Sequence, residues 1–131
     1  MVTNVIIGKN SNLSRQLAVK LADCVLLSSR GILNDINVLK PYKNDKIRLI
    51  FNNFQTATQL NNLTDPLAYI NMSIVTTSKV LAYFDHTLIE KVIYTSSSSV
   101  YGNNVSCHEN DQLQPMNLHA SLKVANEKLV A

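Results

Sequence analysis

Apolar residues in this chain gather in short runs that alternate with longer segments of helical spacing. Asn4 to Ile7 forms an apolar run that ends at Gly8. Beyond it Leu13, Leu17 and Leu21, with Ala18 and Val19 between them, recur at the spacing of one helix face, so a strand and then a helix from about Ser11 to Ala22 are predicted. Cys24 to Leu27 reads as a second buried strand leaving through the polar Ser28-Ser29-Arg30, and Ile47 to Phe51 as a third strand running into Asn52-Asn53. From Pro66 to about Phe84, Leu67, Ile70, Ile74, Val80, Leu81 and Phe84 mark a long helix, with Thr64 or Asp65 placed to cap it and Pro66 suited to its first turn. Lys91 to Thr95 is the fourth strand. After a loop holding Pro115, Leu118, Leu122, Ala125 and Leu129 outline a last helix from about Asn117 to the chain end. Strands and helices in alternation imply an α/β fold, a parallel sheet flanked by helices and joined by right-handed crossovers.

Composition narrows the classes of function. The 131 residues suffice for one core and one domain, spanning 1–131. The formal charge of +3 is spread along the chain and forms no basic stripe, so no nucleic-acid partner is indicated. No apolar run approaches the roughly 18 residues of a membrane span, and the chain opens directly into a strand pattern, so a cytoplasmic protein without a membrane partner is expected. Cys24 and Cys107 lack metal-ligand spacing, and Cys107, His108 and Glu109 are neighbours in a loop, where they rarely face a common centre, so no metal is expected.

The chemistry lies at the strand ends. A strand that runs through a glycine into a helix gathers free backbone amides and the positive end of a helix dipole at one place, an arrangement suited to a pyrophosphate. Ile7-Gly8-Lys9-Asn10-Ser11-Asn12-Leu13-Ser14 has that position in the chain. Downstream, Tyr94-Thr95-Ser96-Ser97-Ser98-Ser99-Val100-Tyr101-Gly102 is followed by Glu109, Pro115, His119, Lys123 and Glu127 at the spacing E-x5-P-x3-H-x3-K-x3-E. Together with Asn71 in the long helix, these segments resemble the extended short-chain dehydrogenase/reductases, the NAD(P)-dependent sugar-nucleotide epimerases and dehydratases. The likeness runs along the whole chain but corresponds only to the first part of a family member of usual length.

The resemblance implies a Rossmann-like domain that binds NADP or NAD, with Gly8, Asn10, Ser11, Asn12, Leu13, Arg30, Asn52, Asn53, Thr95 and Lys123 around the cofactor. It implies a catalytic set of Ser97, which would hold the reacting oxygen of the substrate, the base position His119, and Lys123, which would grip the nicotinamide ribose. A nucleotide sugar is the implied substrate, polysaccharide biosynthesis the implied setting, and a homodimer through segments 66–84 and 117–131 the implied assembly.

Four departures from the family pattern matter. In the family's T-G-x-x-G-x-x-G only Gly8 survives, with Ser11 and Ser14 in place of the later glycines. No acidic residue follows the second strand, where one would hold the ribose 2′-hydroxyl of NAD, and Ser28-Ser29-Arg30 resembles the NADP version. The stretch between Arg30 and Asp45 is too short for a helix, a strand and another helix, so the sheet is expected to be shortened at the strand-3 edge as well as truncated at its C-terminal end. His119 stands where the family has tyrosine.

A tyrosine of ordinary pKa about 10 needs a neighbouring cation to act as a base near neutrality. Histidine does not need that help, and a cation beside it disfavours its protonated form. Two readings follow: the cofactor domain of such an oxidoreductase, inactive as this chain, or a non-catalytic dinucleotide sensor or dimerising scaffold. Tyr42 and Lys46 also satisfy Y-x3-K, but they lie in a polar stretch without a serine strand before it and receive no role.

Overall fold

In the computed structural model, residues 2–52, 67, 70–96, 101, 109, 112, 113 and 118–131 are described, with the backbone alone for 118 and 119. Strand β1 (Thr3–Ile7) leads into α1 (Asn12–Lys20), β2 (Cys24–Leu27), α2 (Ser29–Asn34), a 3-10 run (Ile36–Tyr42) and β3 (Ile47–Phe51). A π-turn (Asn71–Val75) continues as α3 (Thr76–Tyr83), a short 3-10 turn (His86–Leu88) precedes β4 (Ile89–Tyr94), and α4 (Leu118–Val130) follows. The sheet order is β2-β1-β3-β4 and every pairing is parallel, so the expected α/β architecture stands.

Burial explains the sequence of the two central strands. β1 and β3 are covered on both faces, which is why Val5-Ile6-Ile7 and Leu49-Ile50-Phe51 are continuous apolar runs with no polar alternation. Val5, Ile7, Ile47, Leu49 and Phe51 meet Ile32, Leu39, Val80 and Phe84 in one core. Ile6 and Ile50 alternate to the opposite face, where α1 lies.

The short connection after β2 has a structure of its own. Ser28 caps α2 by accepting a hydrogen bond from the Gly31 amide at 2.9 Å, and Asp35 caps the 3-10 run by accepting from the Asn37 amide. These two pieces deliver Ile32 and Leu39 into the core, each contributing roughly 1.5–3 kcal/mol of burial. Among the described residues no strand pairs with the outer edge of β2, as expected for a sheet shortened at that edge. Lys40, Lys43 and Lys46 are exposed along this connection, and Tyr42 packs against the core.

Three helix expectations need correction. In α1 the fully buried position is Ser14, with Leu17, Ala18 and Leu21 half-buried along the same face, whereas Leu13 is 42% and Val19 83% exposed. In α4 the buried positions include Ala120, Leu122, Lys123 and Asn126, while Ala125 is exposed and Leu129 largely so; two polar residues occupy the inner face. The long helix is not regular α throughout. Its π-turn leaves carbonyls poorly matched to the α ladder, and the hydroxyls of Thr76, Thr77 and Ser78 donate to the carbonyls of Asn71, Ser73 and Ile74 at 2.9, 3.2 and 2.8 Å. The expected first turn of that helix, at Thr64, Asp65 and Pro66, lies outside the described residues.

Candidate functional site

The C-terminal ends of β1, β3 and β4 carry one hydrogen-bonded chain. Gly8 leaves β1 with φ of 111°, a conformation that side chains resist and glycine adopts freely. Its amide and that of Lys9 donate to the Leu27 carbonyl at 2.8 and 3.1 Å, which folds the chain back over the end of β2. Ser11 then caps α1, its Oγ accepting from the Ser14 amide at 3.0 Å. No acidic residue occupies the first turn of α1, so the positive end of the helix, with the amides of Asn12 and Leu13, faces the turn uncompensated.

From this turn the chain of bonds crosses the sheet. The Ser11 and Ser14 hydroxyls are 2.8 Å apart, and Ser14 Oγ, fully buried, accepts from Asn52 Nδ2 at 3.2 Å. Asn52 sits just past β3, its amide donating to the Ile7 carbonyl, and its Oδ1 accepts from Thr95 Oγ1 at 2.5 Å. Thr95 sits just past β4, its amide donating to the Phe51 carbonyl; its own carbonyl accepts from Lys123 Nζ at 3.0 Å. Thus residues from the first turn, the third and fourth strand ends and the last helix form one polar seam. Such a seam is stable only when its members are paired.

Lys123 is the charged end of that seam. It is 5% exposed, and its ammonium also lies 5.0 Å from the centre of the Tyr94 ring, a cation–π distance. Burial pulls its pKa down to about 8, with Glu127 opposing the shift. One turn further along α4, Asn126 is buried and donates to Ser73 Oγ of the π-turn and to the Leu122 carbonyl, both at 2.9 Å, while its Oδ1 has no partner. Ser96 Oγ, next to the expected Ser97, is likewise buried without a partner.

The sequence-derived site residues fall into three groups. Gly8, Asn10, Ser11, Asn12, Leu13, Asn52, Thr95 and Lys123 lie at or beside the seam. Arg30 is apart from it, exposed in the first turn of α2, where it lines an open cleft of about 380 Å³ with Asn71, Met72, Val75 and Lys79. Ser97, Asn53 and the His119 side chain lie outside the described residues; the His119 backbone is in α4, one turn before Lys123. Cys107 and His108 lie outside them too, Cys24 is half-buried, and the described residues contain no cluster of metal-ligating side chains.

Sequence reasoning missed Ser14, Tyr94 and Asn126. Ser14 was readable as a lost glycine, yet its spacing of three from Ser11 is that of a cap and its helix partner. Asn126, three residues after Lys123, marks the inner face that the leucine count placed one residue away.

Residues 6–131 match the sequence family described as NAD dependent epimerase/dehydratase. The chain belongs to that family. An uncharacterised protein of Methanocaldococcus jannaschii is 35% identical over 94 residues, 70% of this chain and 29% of that protein. Among solved structures, MoeE5 in complex with UDP-glucose and NAD superposes with a TM-score of 0.78 at 21% identity, over 98% of this chain and 48% of that one. RMD from Pseudomonas aeruginosa complexed with NADPH superposes with a TM-score of 0.72 at 22% identity, over 97% of this chain and 47% of that one. These two likenesses establish the fold. This epimerase/dehydratase family chain spans under half the length of each of these relatives, and no described helix is long and apolar enough to cross a membrane.

Proposed function

We propose that residues 1–131 form an NAD(P)-binding domain of a nucleotide-sugar epimerase/dehydratase-like oxidoreductase, and that this chain does not transfer hydride. The observation that supports it best is the seam from the Gly8 turn to Lys123, in a chain that belongs to an NAD-dependent family. The donor set suits a dinucleotide: a glycine-shaped turn, an uncompensated helix N-terminus, and a buried amine on the same rim.

In this reading Gly8, Asn10, Ser11, Asn12 and Leu13 hold the pyrophosphate, and Arg30 faces the 2′-phosphate of NADP, so NADP is favoured over NAD. Asn52, Asn53 and Thr95 line the middle of the site. Lys123 grips the nicotinamide ribose, and Ser97 holds the sugar's reacting oxygen. The bound cofactor would supply hydride acceptance from a sugar carbon. The matching proton would have to leave through position 119, where histidine is shorter than the family's tyrosine and a base must come within about 3 Å of its proton.

The setting we propose is cytoplasmic and connected to polysaccharide biosynthesis. Homodimerisation through segments 66–84 and 117–131 is supported by Leu67 and Leu129, large apolar residues left 66% and 40% exposed on those segments. Sedimentation should show a dimer, and a concentration-independent monomer refutes it. The substitution at position 119 also supports a second reading, a dinucleotide sensor or dimerising scaffold without chemistry. Thermal-shift titration with NADP and NAD tests the shared premise. A cofactor at 100 times its Kd should stabilise the fold by about 2.7 kcal/mol. No shift with either cofactor refutes dinucleotide binding.

A further inference from the structure

The serine at position 14, which stands where the family pattern has a glycine, is wired into the turn. Ser14 Oγ lies 2.8 Å from Ser11 Oγ and 3.2 Å from Asn52 Nδ2, and Ser14 is fully buried whereas Ser11 is half-buried. Asn52 presents its N–H to Ser14 because its Oδ1 is already taken by the Thr95 hydroxyl. Ser14 must therefore accept from Asn52.

Two serine hydroxyls share a single contact, so one of their two protons is in excess. With Ser11 donating, the excess proton sits on Ser14, where no further acceptor is found among the described residues. Reversing that bond lets Ser14 donate to Ser11, whose Oγ also accepts from the Ser14 amide, and moves the excess proton to the Ser11 hydroxyl at the mouth of the turn. An anion at the uncompensated start of α1 favours the reversed arrangement, since it offers a charged acceptor where the buried site offers none.

We propose that Ser14 is a positioning residue for this turn: held by Asn52, it orients Ser11, which stands where the family's middle glycine lets the backbone approach, as a hydroxyl donor to a phosphate oxygen. The proposal rests on the dinucleotide reading for the identity of the ligand. It reverses the expectation for a decayed motif, in which putting the glycine back should help.

The test titrates the full chain, Ser14→Gly and Ser14→Ala by calorimetry with NAD, NADP, inorganic pyrophosphate and adenosine. Both variants should weaken NAD, NADP and pyrophosphate about three- to tenfold, the range of one lost hydrogen bond, and leave adenosine unchanged. A purely structural role would weaken adenosine as well, and that result overturns the proposal. So does Ser14→Gly binding NAD as tightly as the unmodified chain or more tightly. Should Ser14→Gly fail to fold, Ser14→Ala keeps a good helix former at the same place and decides the question. If the unmodified chain binds pyrophosphate in a Ser14-dependent way but neither dinucleotide, the dinucleotide reading falls and the serine proposal stands. If it binds neither dinucleotide nor pyrophosphate, both fall.

Discussion

Lys123 and Arg30 are cations at the same rim of the sheet, and they are held in opposite ways. Lys123 is buried, donates to the Thr95 carbonyl and lies over the Tyr94 ring, so its position is fixed before any ligand arrives. Arg30 is exposed in the first turn of a six-residue helix, on an open cleft, and its guanidinium has no ion pair among the described residues. The difference teaches where this site is preorganised. Lys123 bears the desolvation cost permanently, offset only in part by the Thr95 carbonyl and the Tyr94 ring, whereas Arg30 costs the fold nothing and acquires a partner only if a ligand brings one.

The largest effect should come from cutting the seam between the two. Asn52→Ala removes a 2% exposed side chain and leaves the buried Ser14 hydroxyl and the Thr95 hydroxyl without their partner. Urea unfolding should show a loss of roughly 2–4 kcal/mol with little change in slope. A loss under about 1 kcal/mol would mean that the seam contributes little to the fold.

Replacing the buried cation should act in the other direction. The folded-state pKa of Lys123, about 8, lies below the ordinary 10.5, so between these values the unfolded chain binds more protons and stability from this group rises with pH. Below pH 8 the folded chain carries a charged, desolvated amine at full cost. Lys123→Met should therefore stabilise the cofactor-free protein by about 2 kcal/mol at pH 7, the lost bond to Thr95 being set against the relieved burial. That gain should fade as pH climbs toward 10.5. A variant less stable than the parent at pH 7 would show that the ring and the carbonyl fully compensate the charge.

These two variants also mark how far the sequence could be read. The strands were legible because both central ones are buried on two faces and so carry unbroken apolar runs, at Val5 to Ile7 and Leu49 to Phe51. The shortened edge was legible from chain length alone. The inner face of α4 was not, since Lys123 and Asn126 take places that periodicity gives to apolar residues. Ser14 was hidden for a related reason. A motif comparison records the loss of a glycine, but only the register of β1 beside β3 brings Asn52 to the serine that replaced it.

Arg30→Ala sharpens the comparison from the exposed side. Stability should stay within about 0.5 kcal/mol of the parent, because an exposed side chain without an ion pair has little to lose. NADP should weaken about tenfold, as for a lost hydrogen bond to a charged group, and NAD far less. Equal losses for the two cofactors, or none, would remove Arg30 from the site and leave its cleft without a ligand.

The smallest effect is expected at the position that sets the chain apart. His119 lies one turn before Lys123 on α4, so a tyrosine there would restore the family's Y-x3-K on the same helix. Hydride transfer with common nucleotide sugars should be undetectable in the unmodified chain, and His119→Tyr should leave it so. The repaired chain would still span only about half the length of MoeE5, and orientation of the sugar is worth several orders of magnitude in rate. Residues 1–131 by themselves should therefore stay silent with either residue at position 119. NAD(P)H formation by the unmodified chain, abolished by His119→Ala, would make the histidine a working base; the lowered pKa of Lys123 would then matter for catalysis, since an amine that loses its proton near pH 8 opposes protonation of the imidazole less as pH rises.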